Sequence, residues 1–572
     1  MSYTPEVVAP KALHMKLDSF PIAESTWDIC IVGTGPVGMA MALEFDRLGR
    51  DVLVLESGGL KIDPALIPAV RAEIADERRH APMELTVCRA LGGTSWTWGG
   101  RSVPYDDVDF APRSFVPDSD WPMTHEEIRP WYNRAAEYTL CGGDRFTISY
   151  KRSLTHGLTL DSVERWATES RLILRHRERL LDSPRIHVSL YSTVTGLCLT
   201  RDGDGVQALE VSTPSGPRLV RARQIVLALG GVETTRLLLN VQERNPNLFG
   251  GIGGPLGRYY MGHISGKIAD IIFDRPSDFS DLDFKLDTNR SWYRRRFMLA
   301  EEAQVEHRLQ NTAFWPDNPH FYDPSHKSGV LSSVFLALAF PPTGRRLLSE
   351  AIRQAHIGPP PYPFAAHLRN AILGAPRGAA DVYRILRDRF LRKPRKPGFL
   401  VSNRGGRYAL HYHAEQTPQA ESRIRLARET DKFGLHRAVI DLRFAEQDVD
   451  SVIRSHEVLD QALRANGIGR LELWYSPEQT RSKVWEQATD GFHQVGSIRM
   501  GHDPATSVVN RNLRTHDLAN LYIASSAVFP TSGQANSTLL AVALGVRLVH
   551  QLVEFASDVK TAGAMATFGA HL

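Results

Sequence analysis

The chain has 572 residues, 42% hydrophobic and 23% charged, the balance of an ordinary globular protein rather than a disordered or bilayer-embedded one. A formal net charge of only +4 excludes the strongly basic surface that nucleic acid demands, so no nucleic-acid partner is expected. At roughly 150 residues per domain the length predicts about two to four domains, with a core large enough to need no staples.

The first 26 residues include Lys11, Lys16, Asp18 and Glu24, and no apolar run of about 7–15 residues precedes the fold. No window of about 18 apolar residues appears anywhere in the chain. The expected location is cytoplasmic, with export alongside a signal-bearing partner left open. Cys30, Cys88, Cys141 and Cys198 share no metal-ligand spacing, so no metal site is expected, and the thiols are expected to be free, in a reducing compartment or one where disulfides are not used.

Ile29-Cys-Ile-Val is an apolar strand, Val37 to Leu48 a helix pattern, and Asp51-Val-Leu-Val-Leu-Glu56 a second apolar strand. Strands apolar on both faces belong to a parallel sheet covered by helices, so this is a βαβ unit. Ile186 to Val194 reads as a further strand, Gln224 to Gly231 as another parallel one, and Ala519 to Ala524 as the last. A strongly apolar helix then runs from Ser537 to about Phe555. The predicted fold is α/β: a discontinuous Rossmann-like unit made of residues 25–113, 181–275 and 483–557. A substrate-domain or linker segment, 114–180, and a substrate unit of mixed sheet with helices, 276–482, are inserted in it. In the inserted unit, Gly406 to Glu415 and Ser422 to Ala427 alternate as half-buried strands do, and Asp448 to Ala465 has helical spacing. Residues 344–397 stand apart, ending in the basic pattern Tyr383-Arg-Ile-Leu-Arg-Asp-Arg-Phe-Leu-Arg-Lys-Pro-Arg-Lys396.

Gly33-x-Gly35-Pro36-x-Gly38 sits between the first strand and its helix, with the acidic Glu56 at the end of the next strand. That context marks a dinucleotide site: the glycines allow a tight turn and let backbone N–H groups approach a pyrophosphate. The helix N-terminus adds a positive field, and Glu56 would accept from ribose hydroxyls. The motif itself leaves FAD and NAD open. Leu91 to Gly100 then offers a loop that passes close to a large planar ring, with Gly93, Thr94, Ser95, Thr97, Trp98 and Gly99 as contacts.

These segments resemble the glucose–methanol–choline (GMC) oxidoreductase family. The likeness runs through Asp28 to Gly59, Gly92-Gly-Thr-Ser95, Val226 to Leu239, Leu256 to His263, Glu415 to Pro418 with Ser422-Arg423, and His493 to Leu552, in the family's order. It implies FAD, with the backbone of Val194 meeting the adenine. Thr97 stands where some members carry the histidine that links FAD covalently, so non-covalent FAD is expected. Ser525 replaces an aspartate common in the family, which alters one polar contact to the cofactor.

The resemblance also implies the chemistry. Oxidising an alcohol removes a hydride from carbon and a proton from oxygen, and the proton needs a base within hydrogen-bond reach. His493 matches the family's catalytic histidine and Asn536 the second position, where an amide can hold the substrate oxygen without titrating. Ser537 and Thr538 begin a helix whose N-terminal field would stabilise charge on the flavin pyrimidine edge. Asn at the second position resembles the sugar-oxidising branch, pyranose oxidases and bacterial glycoside 3-oxidases included. The expected substrate is a pyranose or glycoside oxidised at a secondary hydroxyl, C2 or C3, with His413, Glu415 and Gln416 facing the sugar. Oxygen or another acceptor would reoxidise the flavin. Two rival readings stay open: a flavoprotein subunit of a membrane dehydrogenase complex, docking a partner at 383–396, and a lyase that uses the fold without redox. A homo-oligomer is also left open.

Overall fold

The computed structural model describes residues 26–347, 350–403 and 405–568. The reading of the chain's start as leader-free falls on residues 1–25 and so lies outside that part.

The first apolar strand, Thr26–Val32, pairs in parallel with Val52–Leu55 on one side and with the C-terminal half of Gly216–Leu227 on the other. Ile186–Ser189 extends the sheet in parallel beyond Val52–Leu55, and Leu521–Ile523 pairs in parallel with Ile225 to Leu227. Five parallel strands thus come from four distant parts of the chain. Their residues are inaccessible on both faces: Ile31, Val54, Val226 and Ile523 have no exposed surface. One covering element is Pro36–Arg47, and the other is the terminal helix Thr538–Phe568, which packs on it and is buried almost all round from Leu539 to Val549. A helix apolar on every side is a core helix. It is longer than the 537–555 span that apolarity alone predicts.

Gly216–Leu227 serves twice. Its first residues pair antiparallel with Val206–Thr213, which pairs in turn with Thr193–Leu199. The single strand expected from Ile186 to Val194 is therefore two strands joined by a turn, in which Tyr191 takes φ 52°. Val194 lies in the second of them.

A second, antiparallel sheet runs in the order Gly469–Leu473, His263–Phe273, Arg407–Ala414, Thr312–Asp317, Phe297–Leu299 and Leu158–Thr159. The helices Glu446–Ala465 and Pro477–Gln487 pack against it. The strand His263–Phe273 falls inside the segment 181–275 expected in the cofactor unit, yet it is paired in this sheet along its whole length. Its mixture of polar and apolar residues suits a sheet with one wet face, not a doubly covered one. Beyond the sheet, residues 329–391 form a helical insert: Gly329–Ala339, Pro341–Leu347, Glu350–Ile357 and Phe364–Leu386, the last continuing into Arg387–Leu391.

Candidate active site

A cavity of about 1070 Å³ runs from the glycine turn of the parallel sheet to the antiparallel sheet. At the glycine end the wall is backbone. Gly33 takes φ 103°, and a Cβ there would meet the Ala228 carbonyl oxygen at 2.6 Å. A Cβ on Gly38 would meet the Gly33 carbonyl oxygen at 2.0 Å, and one on Gly93 would meet the Gly35 Cα at 2.6 Å. Turn, helix and second loop therefore touch only because these residues lack side chains. Over Gly35 nothing lies within 4 Å of a Cβ position, and that open side faces the cavity. The helix Pro36–Arg47 has no side chain capping its N-terminus, which leaves its first N–H groups for an anion.

Most of the cofactor residues expected from the sequence do line the cavity. Gly33, Gly35, Pro36 and Glu56 are at this end; Gly93, Thr94, Thr97, Trp98 and Gly99 come from the second loop. Val194, Ser525, Asn536, Ser537 and Thr538 complete the wall. Two are displaced. Gly38 faces the turn, not the cavity, and its role is close packing. Ser95 is fully buried and its hydroxyl donates to the Gly92 carbonyl at 2.6 Å, holding the loop's shape. Glu56 is buried with its carboxylate already accepting from the Thr34 N–H at 3.0 Å and the Gly58 N–H at 2.8 Å. Burial pushes its carboxyl above the usual range in spite of those donors.

The donor set fits a dinucleotide carrying a polar ring system. Thr193 Oγ1, Arg89 Nη1 and Asn536 Oδ1 are buried without a hydrogen-bond partner, and all three residues line the cavity. A buried unpaired polar atom costs about 1–3 kcal/mol, so a ligand that pairs these atoms recovers that energy.

At the other end the wall is side chains. His493 lies in a loop pinned on both sides: Val495 and Met261 exchange backbone hydrogen bonds at 2.8 and 3.1 Å, and Gln494 Oε1 accepts from the Val232 N–H at 2.9 Å. His263 and His413 come from neighbouring strands, where Ser265 opposes His413. The result is a cluster of three imidazoles. His493 Nδ1 is 3.0 Å from His263 Nδ1, and the His263 and His413 rings stack at 4.3 Å. Asn536 Nδ2 lies 2.8 Å from His493 Nε2. With the amide set this way Nε2 accepts, so the ring hydrogen of His493 is on Nδ1 and donates to His263. The hydrogen of His263 is then on Nε2, which is buried without a partner.

All three rings are held neutral. Burial, and then the charge of Arg101, lowers His493 to about 4. Burial, with the neighbouring imidazole, pushes His263 well below the usual histidine range, and His413 is depressed in the same way. A general base works best with a pKa near the operating pH, and His493 lies well below that. Arg101 ion-pairs with Glu164 at 2.6 Å, and its Nη2 is buried with no hydrogen-bond partner.

Of the three side chains expected to face a sugar, only His413 lines the cavity. Glu415 is fully buried and takes both Nη groups of Arg113 at 2.6 and 2.7 Å. Gln416 accepts from the Gly262 N–H at 2.7 Å and donates to the Arg443 carbonyl at 2.6 Å, tying down the residue before His263. Strand pairing ends at Ala414, so the alternation that puts His413 on the cavity side does not carry Glu415 with it. Conversely, His263 and Arg101 were given no role from sequence. His263 closes a segment that resembles the family, and Arg101 directly follows the Leu91 to Gly100 loop; those positions were the available signals. Beyond the histidines the wall is polar and aromatic, with Lys267, Asp317, Tyr475 and Gln487, and with Trp315 stacked on His411 at 4.5 Å.

Residues 418–545 match the family model described as GMC oxidoreductase. The chain is 22% identical to 2-methyl-1,2-propanediol dehydrogenase of Mycolicibacterium austroafricanum, covering 93% of this chain and 96% of that one. It is 24% identical to 6'''-hydroxyparomomycin C oxidase of Streptomyces lividus, covering 92% and 91%. In fold it is similar to a variant of Aspergillus oryzae RIB40 formate oxidase, solved for the effect of the mutation on FAD modification, with a TM-score of 0.50, 14% identity, and 94% and 99% of the two chains covered. Over residues 418–545 the chain thus resembles the GMC oxidoreductases, and it is an FAD-dependent oxidoreductase acting on alcohols.

Proposed function

We propose that the protein oxidises a secondary hydroxyl of a pyranose or glycoside, at C2 or C3, to a ketone, with FAD held non-covalently. The observation that carries the reading is the His493 Nε2 lone pair, paired to an amide 2.8 Å away inside a polar cavity. FAD, when bound, supplies the acceptor for the hydride that leaves the carbinol carbon. His493 takes the hydroxyl proton at Nε2, and the Asn536 amide holds the oxygen. A base depressed to about 4 is unprotonated at neutral pH, so its lone pair is free, while desolvation weakens its pull on the proton. His263 fixes the tautomer by accepting from Nδ1–H.

A sugar needs several donors and acceptors and an apolar platform. Lys267, Asp317, Gln487 and the Trp315–His411 stack supply that combination. The relative that acts on 6'''-hydroxyparomomycin C supports a glycosidic substrate. The diol dehydrogenase supports a second reading, a small non-sugar alcohol. Thr97 in the second loop supports non-covalent FAD, since a hydroxyl cannot make the histidine-type link. In the same reading residues 25–113, 181–275 and 483–557, less the strand His263–Phe273, hold the cofactor. Four unpaired cysteines accord with a cytoplasmic location.

The test is anaerobic flavin bleaching against sugars, glycosides and their deoxy analogues. The 2-deoxy or 3-deoxy analogue that lacks the reacting hydroxyl should leave the flavin oxidised, because the buried donors are then unpaired. A simple diol or primary alcohol that bleaches faster than every sugar overturns the substrate class. Acid precipitation should release the yellow colour into the supernatant.

A further inference from the structure

Residues 341–397 carry twelve Lys or Arg against three Asp or Glu, a net +9 in a chain whose total is +4; the remainder is therefore net −5. Of the eighteen large hydrophobic side chains that stand exposed among the described residues, nine lie between Phe340 and Leu391. Charge and exposed apolar surface are thus concentrated on one small part of the molecule.

The helix Phe364–Leu386 organises them. At about 100° per residue its side chains fall into three faces. One packs on the helix Gly329–Ala339: His367 Nδ1 is 3.0 Å from Ser332 Oγ, the His367 ring stacks on Phe335 at 4.0 Å, and a Cβ on Gly374 would meet the Gly329 Cα at 2.7 Å. The second carries Phe364, Leu368, Ile372, Tyr383 and Leu386, each 48–65% exposed. The third carries Arg369, Arg384 and Arg387. Asp381 and Asp388 pair with Arg384 and Arg387, and Arg392, Lys393 and Arg395 follow beyond the helix end. A helix that needed only to pack on the insert would show water one polar face. This one shows an apolar stripe about 35 Å long, bordered by arginines.

We propose that the insert is a membrane-surface anchor, with the helix Phe364–Leu386 lying in the plane of an anionic bilayer. The apolar stripe enters the boundary between headgroups and acyl chains, and the arginines reach the lipid phosphates, their stems lying along the apolar surface. The charge selects the occupant. A second copy would set one +9 segment against another, and like charges repel. A spanning mode is excluded because Arg369, Asp381 and Arg384 interrupt the helix, and no described helix is long and apolar enough to cross a membrane. The insert also reaches the cavity, since His356 lies in the cavity wall and stacks on Phe321 at 4.8 Å.

The test is flotation of the full-length, FAD-loaded protein with vesicles of phosphatidylcholine, with and without about one third phosphatidylglycerol. Binding should be tight on the anionic vesicles, and about tenfold or more weaker on pure phosphatidylcholine or when salt is raised from about 0.1 to about 0.5 M. Leu368→Asp with Ile372→Asp should lower binding about tenfold or more, and Arg384→Glu with Arg387→Glu likewise. All four side chains are exposed or outside the cavity wall, so substrate-driven flavin bleaching should be unchanged in both double variants. No enrichment on anionic vesicles overturns the proposal. So does binding that ignores the Asp substitutions, or capture by an acidic protein or a second copy without vesicle binding.

Discussion

At the glycine end of the cavity the wall is made by backbone, and the residues that shape it are close in sequence: Gly33, Gly35 and Gly38 span one turn, and Glu56 ends the next strand. At the histidine end the wall is made by side chains from far apart. His493, in the wall, and His263, buried behind it, are 230 positions from each other and touch through ring nitrogens 3.0 Å apart. The first end is local geometry that a motif encodes. The second exists only after two sheets have met. The contiguous motif has no room for a side chain at Gly33 or Gly38, whereas an assembled cluster depends on what holds its members in place.

Gly38→Val is expected to break the glycine end outright. A Cβ would sit 2.0 Å from the Gly33 carbonyl oxygen, a backbone atom with nowhere to go. The purified variant should retain no flavin, and a yellow, stoichiometrically loaded protein would contradict the cradle. At the histidine end, His493→Ala should slow anaerobic flavin reduction by about 10²–10⁴-fold, the usual worth of a general base, with the flavin spectrum unchanged. Wild-type reduction in that variant would remove His493 from the mechanism.

Glu415→Ala separates a supporting residue from a binding one. It would leave the Arg113 guanidinium buried without its carboxylate, an effect of about 3–5 kcal/mol on unfolding. The KM for the best substrate should stay the same. A raised KM with unchanged stability would return Glu415 to the substrate's side.

The smallest effect expected is on the pH profile. His493 acts as a base only when neutral, and burial with Arg101 lowers it to about 4. The rate of flavin reduction should therefore hold as pH falls through the ordinary histidine range and drop only as it approaches about 4. An acid limb near 6.5 would show that the ring is not desolvated in the working enzyme.

Much of this was legible without coordinates. The apolar runs at Ile29, Val52, Ile225 and Leu521 had to be covered on both faces, which implied a parallel sheet gathered from distant segments. The glycine spacing with Glu56 implied a dinucleotide site, because only that spacing lets a helix and a turn close to backbone contact. His493 and Asn536 were found through resemblance, and the structure brings them together. What could not be read was any property that belongs to a meeting of segments. The partners of Glu415 and Gln416 are Arg113, Gly262 and Arg443, all distant in sequence, and a buried ion pair looks on paper like a sugar ligand. Nor could the depression of His493 be read, because it is set by burial and by Arg101 from another strand. Periodicity and turn chemistry act over a few residues and survive in the sequence; desolvation and side-chain pairing act through space, and only the folded chain decides them.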